Sequence, residues 1–135
     1  MMTVSTNIRL FGIPNCDTVK KARTWLEQQA IPFEFHNFKK DGLTQAQVEV
    51  WLQKVELDTL INRKGTTWRA LSDEQKSSAD NRAEAIALIL ENPSLVKRPV
   101  LQINGDFGQH AVQHAVQHIS VGFNDQLYQT IFKEI

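Results

Sequence analysis

Cys16 is the only cysteine among the 135 residues of this chain. Its isolation excludes an intramolecular disulfide framework and a redox Cys-x-x-Cys pair, since Val19 stands where the second cysteine of such a motif would fall. Excess charge is missing too. The 15 basic and 15 acidic residues cancel, so no global electrostatic footprint for DNA, RNA or an anionic membrane is expected. No apolar run approaches the roughly 18–20 residues of a membrane span, and the first residues hold no apolar leader core. These absences lead to the expectation of a single cytoplasmic domain in a reducing compartment, touching neither membrane nor nucleic acid directly.

What is present centres on Cys16. The run Ile8-Arg9-Leu10-Phe11-Gly12 is apolar and reads as a buried strand. It breaks at Gly12 and Pro14, and helical spacing follows through Val19, Ala22, Trp25, Leu26 and Ala30. The cysteine therefore sits at a strand-to-helix junction. Unpaired backbone N–H groups and the positive end of a helix dipole there favour a thiolate, the nucleophilic form. Lys20 and Lys21 push the same way, and Asp17 pushes against it. A lone cysteine is ordinarily a small buried hydrophobe. A strand-end turn is a more exposed, loop-like address.

The remaining elements follow from periodicity and caps. Residues 32–38 alternate around Phe33 and Phe35 and read as a second strand, parallel to the first through a right-handed crossover. Asp41-Gly42 reads as a turn, and Thr44 caps a helix carrying Val48, Trp51, Leu52 and Val55. A short turn of helix over residues 57–61 precedes a polar, basic loop over 62–67. Ser72 begins a short helix, and Asp80 caps another that Asn92-Pro93 stops. A third strand lies over residues 97–103, Asn104-Gly105 is a hairpin turn signal, and a fourth strand falls somewhere within 107–121. Asn124 opens a final helix bearing Leu127, Tyr128, Ile131 and Phe132. The order β-α-β, helices, β-β-α predicts an α/β fold with a four-stranded mixed sheet. One domain is expected, with its core over about 7–40 and 96–133 and a helical insert over about 41–95, packed on the same core.

That order resembles the thioredoxin fold. Four stretches resemble the arsenate reductase family of thioredoxin-fold proteins, and within it the YffB and Spx-like branch: Pro14-Asn15-Cys16-Asp17-Thr18, Gly65-Thr66-Thr67-Trp68-Arg69, Arg98-Pro99 and Val121-Gly122-Phe123-Asn124. The resemblance implies a nucleophilic Cys16, an oxyanion-facing Arg98, and Pro99 as the cis-proline that faces the cysteine. A second family arginine falls at Arg63 or Lys64, which are not equivalent for a bidentate contact. Two departures count against arsenate as substrate: Gly122 stands near the family's third arginine, and Gly12 where many arsenate reductases carry histidine.

The implied activity is a glutathione-dependent thiol reductase. Cys16 would form a mixed disulfide or oxyanion adduct with a small oxidised thiol or oxyanion, resolved by external glutathione or glutaredoxin because no second protein thiol exists. The backbone N–H groups of Asp17 and Thr18 would help hold negative charge, and Thr18 Oγ1 would reach the thiolate. No tightly bound cofactor is expected. The alternatives implied are an Spx-like regulator that binds RNA polymerase, although Val19 removes the disulfide switch, and a non-catalytic adaptor.

Two further patterns are weighed against plainer explanations. His110, His114 and His118 recur every four residues, spacing that suits a metal on a helix face. The run is a direct His-Ala-Val-Gln duplication, however, and a slipped repeat accounts for it, so no metal is expected. Trp25 and Trp51 fall at apolar helical positions and read as packing residues, while Trp68 either walls the cleft or packs the insert.

Overall fold

Strand β1 (Ser5–Gly12) lies second in a four-stranded sheet of order β2-β1-β3-β4, with β2 at Glu34–Asn37, β3 at Val100–Asp106 and β4 at Ala115–Val121. The computed structural model describes residues 5–106 and 115–134. β1 pairs with β2 in parallel and with β3 antiparallel, and β3 pairs antiparallel with β4. The sheet is therefore mixed, and with its crossover helix it is the thioredoxin fold.

Two compact units are present: Met1–Asn37 with Arg98–Ile135, and Phe38–Lys97. In the first, helices α1 (Asp17–Gln28) and α8 (Asp125–Glu134) cover one sheet face. Alternation along the strands sends Ile8 and Leu10 of β1, and Leu101 and Ile103 of β3, to that face. Helical spacing sends Ala22 and Leu26 of α1, and Tyr128 and Ile131 of α8, to meet them. Asn124 caps α8, its Oδ1 accepting from the Leu127 N–H at 2.7 Å.

The second unit is helical: α2 (Phe38–Asp41), α3 (Gln45–Leu52), α4 (Leu57–Leu60), α5 (Thr66–Arg69), α6 (Asp73–Ser78), α7 (Arg82–Glu91) and a 3-10 turn at Pro93–Leu95. Its interior holds Phe38, Trp51, Leu60, Ile89 and Leu95. Thr44 caps α3 as expected. Ser72 and Gln75 form a reciprocal capping box on α6. An isolated bridge joins Ile61 to Val96, flanked by Asn62 N–H to Leu95 O (2.8 Å) and Lys97 N–H to Leu60 O (2.7 Å).

Four local expectations change. Phe38 is not strand but the first residue of α2, buried there as an apolar anchor. Thr66 and Thr67 are helical, with Gly65 as N-cap of α5, rather than loop. The cap of α7 is Asn81, not Asp80: its Oδ1 accepts from the Glu84 N–H at 3.1 Å. Asn104-Gly105 is no turn. Both residues lie in β3, paired with Asn7 and Thr6 on one side and Val116 and Ala115 on the other. β1 extends back to Ser5 and supplies ladder partners that outweigh the local turn preference. A register shift at Ile103/Asn104 takes up one residue of β4.

Tyr128 carries the sharpest cost in this core. It is fully buried, edge-on to Trp25 and Phe123, and its hydroxyl has no hydrogen-bond partner among the described residues. Burial pushes its phenol above the usual value of about 10. Ionisation therefore favours the unfolded chain: the contribution is whole below about pH 10 and is lost as pH rises beyond it. Tyr128→Phe should fold with stability within about 1 kcal/mol of wild type at neutral pH and should lose part of the alkaline decline, as read by denaturant unfolding between neutral and alkaline pH.

Candidate functional site

Three connections meet at one end of the sheet. Phe11 of β1 pairs with Val100 of β3, and Val100 pairs with Val121 of β4. The loop leaving β1 toward Cys16, the Arg98-Pro99 step before β3, and the Gly122-Phe123-Asn124 turn after β4 therefore share that end. The register thus gathers Cys16, Asp17, Thr18, Arg98 and Pro99 in the first unit.

Cys16 is the N-cap of α1, with extended backbone (φ −94°, ψ 125°). Its N–H donates to Ile13 O at 3.2 Å, and its carbonyl accepts from the Lys20 N–H at 2.9 Å. The side chain makes no capping hydrogen bond. The first-turn N–H groups from Asp17 to Val19 thus lack an intrahelical acceptor, as at any helix start. The thiol is free of disulfide and half-buried. Asp17 is exposed and Thr18 half-buried.

The Arg98–Pro99 peptide is cis. Pro99 is buried, and its carbonyl accepts from the Gly122 N–H at 2.8 Å, which ties the β3 start to the turn after β4. Gly122 has φ +85°, a conformation that favours glycine. Arg98 is half-buried, with its Nε shielded from solvent.

Arg63 and Lys64 belong to the second unit. There the Arg63 guanidinium lies 2.8 Å from Asp58 Oδ1 and 3.9 Å from Asp80 Oδ1, with its centre 4.7 Å from the Trp68 ring centroid. The Lys64 N–H donates to Asn62 Oδ1 at 3.2 Å, and its side chain is exposed. The two acidic partners of Arg63 were not foreseen. Asp58 sits five residues away across a helix, and the Asp80 contact needs the tertiary fold. Trp68 serves as a stacking surface for Arg63, and Trp51 is fully buried.

His118 lies in β4 opposite Ile103, whereas His110 and His114 fall outside the described residues. Among the described residues, no three His, Cys, Asp or Glu side chains converge as metal ligands. No described helix is long and apolar enough to cross a membrane.

Gly12 and Val19, on either side of Cys16 in sequence, lie against each other. A Cβ on Gly12 would come within 2.7 Å of Val19 Cγ2 and 3.1 Å of its Cγ1. The valine methyls fill the space that any side chain at position 12 needs.

A mixed sheet with an N-cap cysteine and a cis X-Pro step at the same end defines a thioredoxin-fold protein with a thiol site. The ArsC family model matches residues 11–131, and the chain belongs to the ArsC family. A solved structure of a YffB protein superposes with TM-score 0.76 at 38% identity, covering 92% of this chain and 97% of that one. An uncharacterized protein of Haemophilus influenzae is 37% identical over 131 residues, spanning 93% of this chain and 98% of its own. The global transcriptional regulator Spx 2 of Lactococcus lactis is 30% identical over 96 residues, spanning 70% of this chain and 71% of its own.

The Gly12–Val19 contact is testable by a double-mutant cycle. Gly12→Ala should cost about 1–3 kcal/mol by overpacking. Combined with Val19→Ala it should cost clearly less than the sum of the single changes, because the smaller residue vacates the space. Strict additivity in urea unfolding would show that the two positions do not press on each other. Arg63→Ala, at an exposed ion pair, should lower stability by no more than about 1 kcal/mol in the same assay.

Proposed function

We propose that this ArsC-family protein is a glutathione-dependent thiol reductase with Cys16 as its nucleophile. The observation that carries the reading is the placement of Cys16 as an N-cap whose side chain is not engaged in capping, on the same sheet end as Arg98 and the cis Pro99. The thiolate attacks an oxidised sulfur or an oxyanion centre. Negative charge is met by the free N–H groups of Asp17 and Thr18 at the start of α1, and by the Arg98 guanidinium. The Thr18 hydroxyl, two residues after Cys16, would reach the thiolate as a donor. Pro99 orients main-chain groups toward the bound thiol. Of the two basic candidates, Arg63 is held by Asp58 and Lys64 is exposed, both within the second unit.

Glutathione enters as the reducing co-substrate, alone or through glutaredoxin, because Val19 leaves no second thiol to resolve an adduct. No tightly bound cofactor is needed. A small oxidised thiol fits the site better than arsenate. Gly122 supplies backbone rather than a cation, and Gly12 has no room for a histidine while Val19 is in place.

A second reading rests on the Spx relative. An Spx-like regulator would dock on RNA polymerase through its surface without using the thiol. Polymerase subunits would then co-purify equally with wild type and Cys16→Ser, and no turnover would be found.

The enzymatic reading predicts turnover of a small disulfide in a glutathione-coupled assay, abolished in Cys16→Ser. Arg98→Ala should raise KM for glutathione by about tenfold or more, consistent with loss of a charge-assisted contact, and Arg98→Lys should restore only part of it. Wild-type turnover in Cys16→Ser would overturn the assignment.

A further inference from the structure

A hollow lies within the first unit, on the flank of α1 that leads away from Cys16. It has a volume of about 360 Å³ and is walled by Lys20, Lys21, Thr24 and Trp25 of α1, with Phe123 and Asp125 at the start of α8. That volume is within the range of small-ligand clefts.

Its walls are fixed. The Trp25 Nε1–H donates to Asp125 Oδ1 at 2.6 Å, and the same oxygen accepts from Gln129 Nε2 at 3.1 Å. Trp25 and Phe123 both stand edge-on to the buried Tyr128 ring, at 5.5 and 4.6 Å between centroids. The indole and phenyl surfaces are therefore held in place before any ligand arrives, which lowers the ordering cost of binding. Of the charges at the rim, Asp125 is occupied by these two donors, while Lys20 and Lys21 are exposed. Aromatic walls below two ammonium groups fit an apolar or aromatic body that carries an anionic group.

The hollow is placed to serve the thiol. Lys20 and Thr24 follow Cys16 at successive four-residue steps, and one such step is a rise of about 6 Å along a helix. Helical side chains lean toward the N-terminus, so Lys20 and Thr24 incline toward the cysteine end. Phe123 belongs to the turn that leaves the sheet at that same end.

We propose that this hollow is a substrate subsite, and that the oxidised sulfur compound attacked by Cys16 is an organic disulfide bearing an aromatic or apolar carboxylate. The inference rests on the thiol-reductase reading above. The Cys16 thiolate attacks one sulfur, forming a Cys16–substrate disulfide and expelling the other half as thiolate. Glutathione thiolate then attacks the mixed disulfide at the substrate sulfur, returning Cys16 as thiolate and releasing a glutathione–substrate disulfide. The substrate disulfide is the oxidant and glutathione the reductant.

The test has a non-covalent and a kinetic arm. In Cys16→Ser, titration with naphthoate to about 10 mM, where even weak ligands register, should shift the Trp25 indole N–H and the Thr24 amide in heteronuclear NMR with saturation. Thr24→Trp, which fills the hollow from an exposed position, should abolish those shifts, and Lys20→Glu with Lys21→Glu should weaken them about tenfold. In the protein with Cys16 intact, dithiobis(nitrobenzoate) should react at least about tenfold faster relative to hydroxyethyl disulfide than it does with free glutathione. Thr24→Trp should remove that preference, with hydroxyethyl disulfide still turned over. No saturable shift, with hydroxyethyl disulfide still turned over, overturns the subsite and leaves the thiol chemistry standing. Saturable binding with Cys16 inert to both disulfides overturns the thiol reading, and the substrate assignment falls with it.

Discussion

The position of the thiol depends on a missing Cβ. Gly12 ends β1, and Val19 in the first turn of α1 sets its methyl groups where a side chain at position 12 would begin. With hydrogen there instead of carbon, the helix can seat its first turns directly on the end of the strand. Val19 is then fully buried, and Cys16, three residues earlier, is held at the N-cap rather than swinging in a loop. Interiors are packed closely enough that a single methylene is felt. The pair therefore works as a fixed stop that places the sulfur.

A second constraint places its surroundings. Continuous pairing from Phe11 through Val100 to Val121 brings the ends of β1 and β4 and the start of β3 together. Any group in the three adjoining connections is brought near its neighbours by backbone ladder geometry rather than by side-chain chance. Pro99 has no N–H, so its main-chain contribution is its carbonyl, which the Gly122 N–H engages at 2.8 Å. The residue at 122 needs φ near +85°, which costs glycine little and other residues more. The backbone role of Gly122 and the absence of a third arginine are thus one feature: the turn that braces Pro99 is built from a residue that cannot supply charge.

The strand-to-helix address of Cys16, the caps at Thr44 and Asn124, and the mixed-sheet order were legible because each rests on local chemistry: apolar periodicity, a capping oxygen, a crossover between short elements. Asn104-Gly105 misled for the complementary reason. Its turn preference is local, but β1 reaches back to Ser5 and offers Asn104 and Gly105 a ladder on one side while β4 closes the other. Phe38 misled similarly, since an aromatic after an alternating strand reads as more strand until the burial that α2 gives it is known. The Trp25–Asp125 hydrogen bond spans 100 residues of sequence and left no local trace. Arg63 was legible as a cation, but its engagement with Asp58, Asp80 and Trp68 was not, because that depends on how the helices of the second unit fold together.

The absence of a second cysteine also changes meaning in this light. Read as sequence, Val19 is simply a thiol that is not there. In the structure it is a fully buried packing residue against Gly12, with its side chain committed to the strand end. A thiol at that position would be buried in apolar surroundings, which raise a thiol's pKa and make it a poor attacking group. It would also lack one of the two methyl branches that hold α1 to β1. The packing that fixes Cys16 at the helix start is thus the same packing that leaves it without an internal partner. Any disulfide formed on Cys16 would have to be resolved by a thiol other than one of this sequence's own side chains.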